Sequence, residues 1–221
     1  MAPDPAVRTI AARVHGRYVL RTPDAPRPWP IVLGFHGYAE DAERHLSVLE
    51  RIPGAGNWLL VAVQALHPFY TRDDRIVANW MTRQDRELAI DDNLRYVAAV
   101  MEAVRREHVT DGPVVVAGFS QGGAMAYRAA PRVGAAGAIA LAADVPPEIE
   151  GHHALPPVLL GRGTEDAWYT EEKMASDLAR LADLTSSVYT CVFEGGHEWT
   201  DAFAAAAGAF LDRIRRVPPS R

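Results

Sequence analysis

The chain has 221 residues, 48% of them hydrophobic and 23% charged, with a formal net charge of -5. That is the balance of a soluble globular protein large enough to bury a substantial core. The mild negative charge excludes a nucleic-acid surface and a polybasic membrane patch, and no apolar stretch approaches a membrane span or a leader core, so no membrane span and a cytoplasmic location are expected.

In chain order, residues 9–14 and 17–21 flank His15-Gly16 and predict an opening antiparallel pair. Residues 23–30 form a proline-rich connector, and 31–35 predict a short buried strand ending at His36-Gly37. Spacing through Leu46, Leu49 and Ile52 predicts a helix over 41–52. A strand over 59–63 leads into a polar and aromatic loop over 66–83. A long amphipathic helix is predicted over 85–108, with Leu88, Leu94, Val97, Val100, Met101 and Val104 on or near one face. Further strands are predicted at 114–117, 138–142, 158–160 and 187–193, with helices from 124 onward, over 171–184 and over 202–215. Residues 144–156 read as an irregular connector. The one cysteine, Cys191, cannot form an internal disulfide and reads as a small buried core residue.

Alternating strands and helices imply an α/β fold, a mostly parallel sheet covered by helices on both faces. Ligands in such sheets bind beyond the carboxyl ends of the strands. No internal repeat or linker is visible, so residues 1–221 are expected to form a single domain. The oligomeric state is open, a homodimer included.

The segment 114–125 is the most informative. Val114 to Ala117 lead into Gly118-Phe119-Ser120-Gln121-Gly122, and Ala124-Met125-Ala126-Tyr127 continue as a helix. Strand, Gly-x-Ser-x-Gly turn and helix together make a nucleophile elbow, the hallmark of an α/β-hydrolase fold. The sharp turn lifts the serine hydroxyl above the sheet edge, and a Cβ at either flanking glycine would crowd the neighbouring backbone. The helix that follows aims its N-terminal N–H groups at the reaction centre.

With Ser120 as nucleophile, the fold orders the partners as acid then histidine, each just past a strand. Gly161-Arg162-Gly163-Thr164-Glu165-Asp166 follows one strand, and Glu194-Gly195-Gly196-His197 follows the last. His197 is expected as general base and acid, and Asp166 as its orienting carboxylate. Glu165 and Asp144 compete with Asp166, and a helix N-cap is its structural alternative. His15, His45, His67, His108, His152 and His153 stand on predicted helices, turns or polar loops, where a solvated histidine is the default. The oxyanion hole needs two N–H donors, and these are expected from the backbone of Gln121 and of Tyr38 in the His36-Gly37-Tyr38 loop, with the His36 ring bonded inside that loop. No metal-ligand pattern occurs, since His152-His153 are adjacent and diverge, and no phosphate loop with its lysine occurs either.

These motifs, Leu33-Gly34-Phe35-His36-Gly37, Gly118-Phe119-Ser120-Gln121-Gly122-Gly123, the 161–166 loop and Gly195-Gly196-His197, resemble the phospholipase/carboxylesterase family of small α/β-hydrolases, which includes the acyl-protein thioesterase-like enzymes. The resemblance spans most of a minimal hydrolase fold without a large cap domain. It implies hydrolysis of small-molecule carboxylic esters of short to medium acyl chain, or of thioesters, without a cofactor or metal. The chain departs from the family pattern twice. Tyr38-Ala39-Glu40-Asp41 stands where family members place small residues, so Tyr38 is expected to narrow the pocket. In Asn79-Trp80-Met81-Thr82-Arg83 the tryptophan is kept but the family's aspartate is missing.

Phe69, Tyr70, Trp80, Trp168, Tyr169 and Trp199 fall in loops expected at the mouth of the site and would give an apolar acyl pocket; packing on the sheet edge is the alternative for each. Arg72, Arg83 and Arg162 are candidates for an acidic substrate group. An acyltransferase with the same residues, and a hydrolase-fold binding protein without turnover, are the other functions the sequence allows.

Overall fold

The apolar runs predicted as strands lie side by side. In the computed structural model, which describes residues 6–151 and 154–216, the strands are β1 (Arg17–Arg21), β2 (Trp29–Phe35), β3 (Leu59–Gln64), β4 (His67–Tyr70), β5 (Ile76–Asn79), β6 (Thr110–Phe119), β7 (Gly137–Leu141), β8 (Val158–Gly163) and β9 (Val188–Phe193). The helices are α1 (Ala42–Glu50), α2 (Arg86–Glu107), α3 (Gln121–Val133), α4 (Glu171–Leu184) and α5 (Asp201–Arg216). Seven strands form one sheet in the order β1-β3-β2-β6-β7-β8-β9, parallel except for β1, and β4 and β5 pair separately. Every residue of β2, β3, β7 and β8 is buried, as expected of strands covered on both faces. The edge strands β1 and β9 are only partly buried.

The register fixes which helices share a face. Gly34 pairs with Ala117, Ala117 with Ile139 and Ile139 with Leu159, so these four point the same way. Gly137 and Gly161 have the same parity, since alternate residues along a strand face one side. A Cβ on Gly34 would meet Leu49 and His45 of α1, and one on Gly137 or Gly161 would meet Phe210 or Phe203 of α5. The helices α1 and α5 therefore cover one face, and α3, packed on α2, lies against β6 and β7 on the other. Local signals close the helices. Asp41 caps α1 by accepting from the Arg44 N–H at 2.7 Å, Thr170 caps α4, and Gly134 ends α3 in the left-handed region.

Several expectations need correction. Residues 9–14 form no strand and are exposed; β1 pairs instead with β3, 39 to 47 positions on, a partner that local patterning cannot reveal. The loop predicted over 66–83 contains the β4–β5 hairpin. Leu88, expected on the buried face of α2, is 49% exposed. Cys191 is only partly buried, though enough to push its thiol pKa up.

His45, expected to be solvated, is buried beneath β2 with Nε2 unpartnered among the described residues. Burial lowers its pKa to about 3 from an ordinary 6.5, helped by the nearby His36 and opposed by a hydrogen bond to the Ala117 backbone. The unfolded chain takes up this proton near pH 6.5 and the folded chain only near 3, so the unfolded state binds more protons in between. Stability is therefore expected to fall as pH drops below about 6.5, with His45 contributing roughly 3 kcal/mol between pH 7.5 and 4.5. Urea unfolding at both values checks this: His45→Phe should show a shallower loss than wild type, and equal losses would unlink His45 from the slope.

Candidate active site

Past the carboxyl end of β6 the chain reverses sharply. Ser120 sits at the turn with φ 53° and ψ −120°, a conformation L-residues rarely hold. The turn is possible because its neighbours are glycine. A Cβ on Gly118 would come within 2.1 Å of the Gly122 carbonyl oxygen, and one on Gly122 would come within 2.1 Å of the Phe35 carbonyl oxygen. Both obstacles are backbone, so neither can move aside. The Ser120 N–H donates to the Leu141 carbonyl at 2.8 Å, which ties the turn to β7.

Two loops bring their residues to this serine. His197, past β9, places Nε2 2.8 Å from Ser120 Oγ and Nδ1 2.8 Å from Asp166 Oδ2. Asp166, past β8, has a fully buried side chain whose Oδ1 accepts from the backbone N–H of Trp168 at 2.8 Å and of Tyr169 at 2.9 Å. Its competitors lie elsewhere. Asp144 is exposed and bridges to Lys173 at 3.3 Å, and Glu165 is exposed. The Phe119 ring backs the imidazole at 4.9 Å between centroids. His197 keeps 24% of its side chain exposed.

Neither the Tyr38 nor the Gln121 backbone N–H donates to another group among the described residues. The Gln121 N–H opens α3, where a free donor and the helix dipole coincide. The loop that carries Tyr38, after β2, is held firmly. The Gly37 N–H donates to Glu40 Oε2 at 2.8 Å, and Glu40 also binds Arg44. His36 Nε2 accepts from the Ala65 N–H at 3.1 Å, which makes Nδ1–H the donor to the Gly37 carbonyl at 2.6 Å. Burial lowers the His36 pKa, opposed by that carbonyl, and keeps the ring in this neutral role.

A cleft of about 470 Å³ opens beside Ser120 and His197. Of the six aromatics expected there, Trp168 and Tyr169 line it. Trp168 is 75% exposed, whereas Tyr169 is buried and its hydroxyl donates to Asp177 Oδ2 at 2.9 Å. Burial, with the Asp177 charge, raises the Tyr169 pKa. Trp80 is fully buried instead, its Nε1–H donating to the His36 carbonyl at 2.9 Å, so its ring supports the loop rather than the cleft. Trp199 packs edge-on against Phe203 of α5. Phe69 and Tyr70 stand on the β4–β5 hairpin, where Phe69 stacks on Tyr38 at 5.6 Å. The Tyr38 ring thus leans toward the hairpin and does not line the cleft, contrary to the expected narrowing.

Of the candidate arginines, Arg83 lines the cleft; Arg72 is exposed on the hairpin turn, and Arg162 is buried against the Gly163 carbonyl. Sequence reasoning missed Arg86, Arg128 and Lys173, which line it too. Arg128 and Ala124 stand four residues apart on α3, a helical spacing that could have flagged Arg128 once Ser120 was chosen. Among the described residues no group of three metal-ligating side chains converges, and His152-His153 lie outside them. No helix among them is long and apolar enough to cross a membrane.

Sheet order, elbow and loop positions define an α/β-hydrolase fold without a large cap. No family model matches the chain, and no curated protein sequence does. Solved structures do. The carboxylesterase of Bacillus cereus is 16% identical and aligns with a TM-score of 0.74 over 90% of this chain and 94% of that one. SOBER1 of Arabidopsis thaliana is 17% identical, with a TM-score of 0.66 over 84% of this chain and 98% of that one. The esterase PE8 is 20% identical, with a TM-score of 0.67 over 91% of this chain and all of that one. At these identities the likeness is one of fold.

Proposed function

We propose that this protein is a serine hydrolase of carboxylic esters, of the phospholipase/carboxylesterase type, working through an acyl-enzyme on Ser120. The observation that carries this reading is the unbroken line of hydrogen bonds from Asp166 through His197 to Ser120 at the elbow. The neighbouring carboxylesterase and esterase folds support it.

In this reading Asp166 Oδ2 accepts from His197 Nδ1–H, which leaves Nε2 free to take the Ser120 proton as Oγ attacks the ester carbonyl. The oxygen that becomes negative is held by the Tyr38 N–H, in the loop after β2, and the Gln121 N–H at the start of α3. His197 then returns the proton to the departing alcohol, and the acyl group stays on Ser120. Water then attacks the acyl carbon as His197 takes its proton, and His197 returns that proton to Ser120 Oγ as the ester bond to Ser120 breaks and the acid leaves. The partly exposed His197 favours water as the acceptor over a transferase reaction. The chemistry needs no cofactor.

Incubation with a fluorophosphonate probe, followed by intact mass and peptide mapping, tests this reading. One adduct on Ser120, blocked by prior turnover-dependent inhibition and accompanied by hydrolysis of 4-nitrophenyl esters, is the expected result. No adduct and no turnover would leave a hydrolase-fold binding protein.

A further inference from the structure

The wall of the cleft beyond Ser120 is cationic. Arg83, Arg86, Arg128 and Lys173 line it; Lys173 is paired with Asp144 at 3.3 Å and Arg128 with Glu148 at 2.6 Å. Arg83 and Arg86 have no ion-pair partner among the described residues. Arg86 stands close enough to interact with both Arg128 and its partner Glu148. A chain with net charge -5 thus gathers unmatched positive charge beside its nucleophile.

Arg128 is the built part of this wall. It is 5% exposed, yet it lines the cleft. Its Nε–H donates to Glu148 at 2.6 Å and its Nη1 lies 3.8 Å from Met81 Sδ, while Nη2 has no partner among the described residues. Glu148 and Met81 therefore fix the plane of the fork and leave donors for a ligand. A buried guanidinium held this way loses little freedom when it binds a planar carboxylate.

The loop carrying Arg83 is also held. The Gln121 side chain accepts from the Trp80 N–H at 2.8 Å and donates to the Met81 carbonyl at 2.9 Å, while Asn93 of α2 donates to the Trp80 carbonyl at 2.9 Å. The residue that opens α3 next to Ser120 thus ties the arginine-bearing loop to the elbow. Ala142, Ala143, Val145, Pro146 and Pro147 also line the cleft, and this apolar lining suits the carbon chain between a charged end and the scissile bond.

We infer that the preferred substrates are esters carrying a carboxylate remote from the scissile bond, gripped by Arg128 and Arg86 with Arg83 at the mouth. This inference rests on the ester-hydrolase reading and names its substrate class. Electrostatic attraction of this kind acts on capture of the substrate and weakens with salt.

The test compares esters matched in size. Mono-4-nitrophenyl glutarate against 4-nitrophenyl pentanoate places the charge on the acyl side, and 4-acetoxybenzoate against phenyl acetate places it on the alcohol side. In at least one pair the anionic ester should have kcat/KM about tenfold higher, mostly through KM, with the ratio shrinking as NaCl is raised. In the double variant Arg83→Gln/Arg86→Gln that ratio should fall toward one. Equal or neutral-favouring ratios in both pairs overturn the inference while leaving the esterase reading standing. If no ester is turned over, the esterase reading fails, and glutarate binding by calorimetry decides the anion site separately. Binding lost in the double variant supports the site, and absence of binding to the wild type overturns it.

Discussion

Ser120→Ala is expected to lower kcat by roughly 10⁶-fold, as loss of the nucleophile does in serine triads acting as a unit. Its melting temperature should change little. Alanine keeps the Cβ and so keeps the strain of φ 53°, while the hydrogen bond to His197 is lost at a partly solvated position. Ser120→Gly separates the two effects. It should be as inactive as the alanine variant but more stable by about 1 kcal/mol, because glycine adopts positive φ without steric cost. Steady-state hydrolysis of 4-nitrophenyl butyrate and calorimetric melts measure both. Activity near wild type in either variant would refute the elbow assignment, and a glycine variant melting below the alanine variant would mean that the turn stores no strain.

That strain explains why the elbow was legible in sequence. Only glycine fits at positions 118 and 122, because each lies against backbone rather than against a side chain that could move. The requirement is local and leaves its mark in five adjacent residues. Asp166 and His197 were legible for a related reason. Parallel strands end at one edge of the sheet, so the residues just past β8 and β9 must meet there. What escaped sequence reading depends on contacts between distant segments. The pairing of β1 with β3 leaves no trace in β1 itself, and residues 9–14 alternate as a strand would but find no partner. Trp80 has the composition of a pocket aromatic, yet its ring is drawn into the core by the His36 carbonyl that it binds. His45 could not be known as buried until β2 lay across α1, with Gly34 making room for its ring. The cationic wall is the largest omission. Arg86 opens α2 and Arg128 stands on α3, and only the packing of those helices brings the two together.

Asp166→Asn should lower kcat by about 10⁴-fold with little loss of stability. The reason lies in the two oxygens of this carboxylate. Oδ1 is taken by the Trp168 and Tyr169 N–H groups, which need an acceptor, so the asparagine oxygen must stay there. The amide NH₂ then faces His197 Nδ1 and donates where the carboxylate accepted. His197 is forced to carry its proton on Nε2, and Nε2 can no longer take one from Ser120. The fold keeps its hydrogen bonds and the chemistry loses its base. Asp144→Asn offers the contrast. That carboxylate is 61% exposed and paired with Lys173, and such a pair contributes at most about 1 kcal/mol. Its replacement should cost far less activity than the change at Asp166. Side-by-side kcat values for the two variants decide the matter: a collapse at Asp144 with activity retained at Asp166 would mean that the hydrogen bond at 2.8 Å orients the imidazole without serving the reaction, and that the working acid comes from the other strand end.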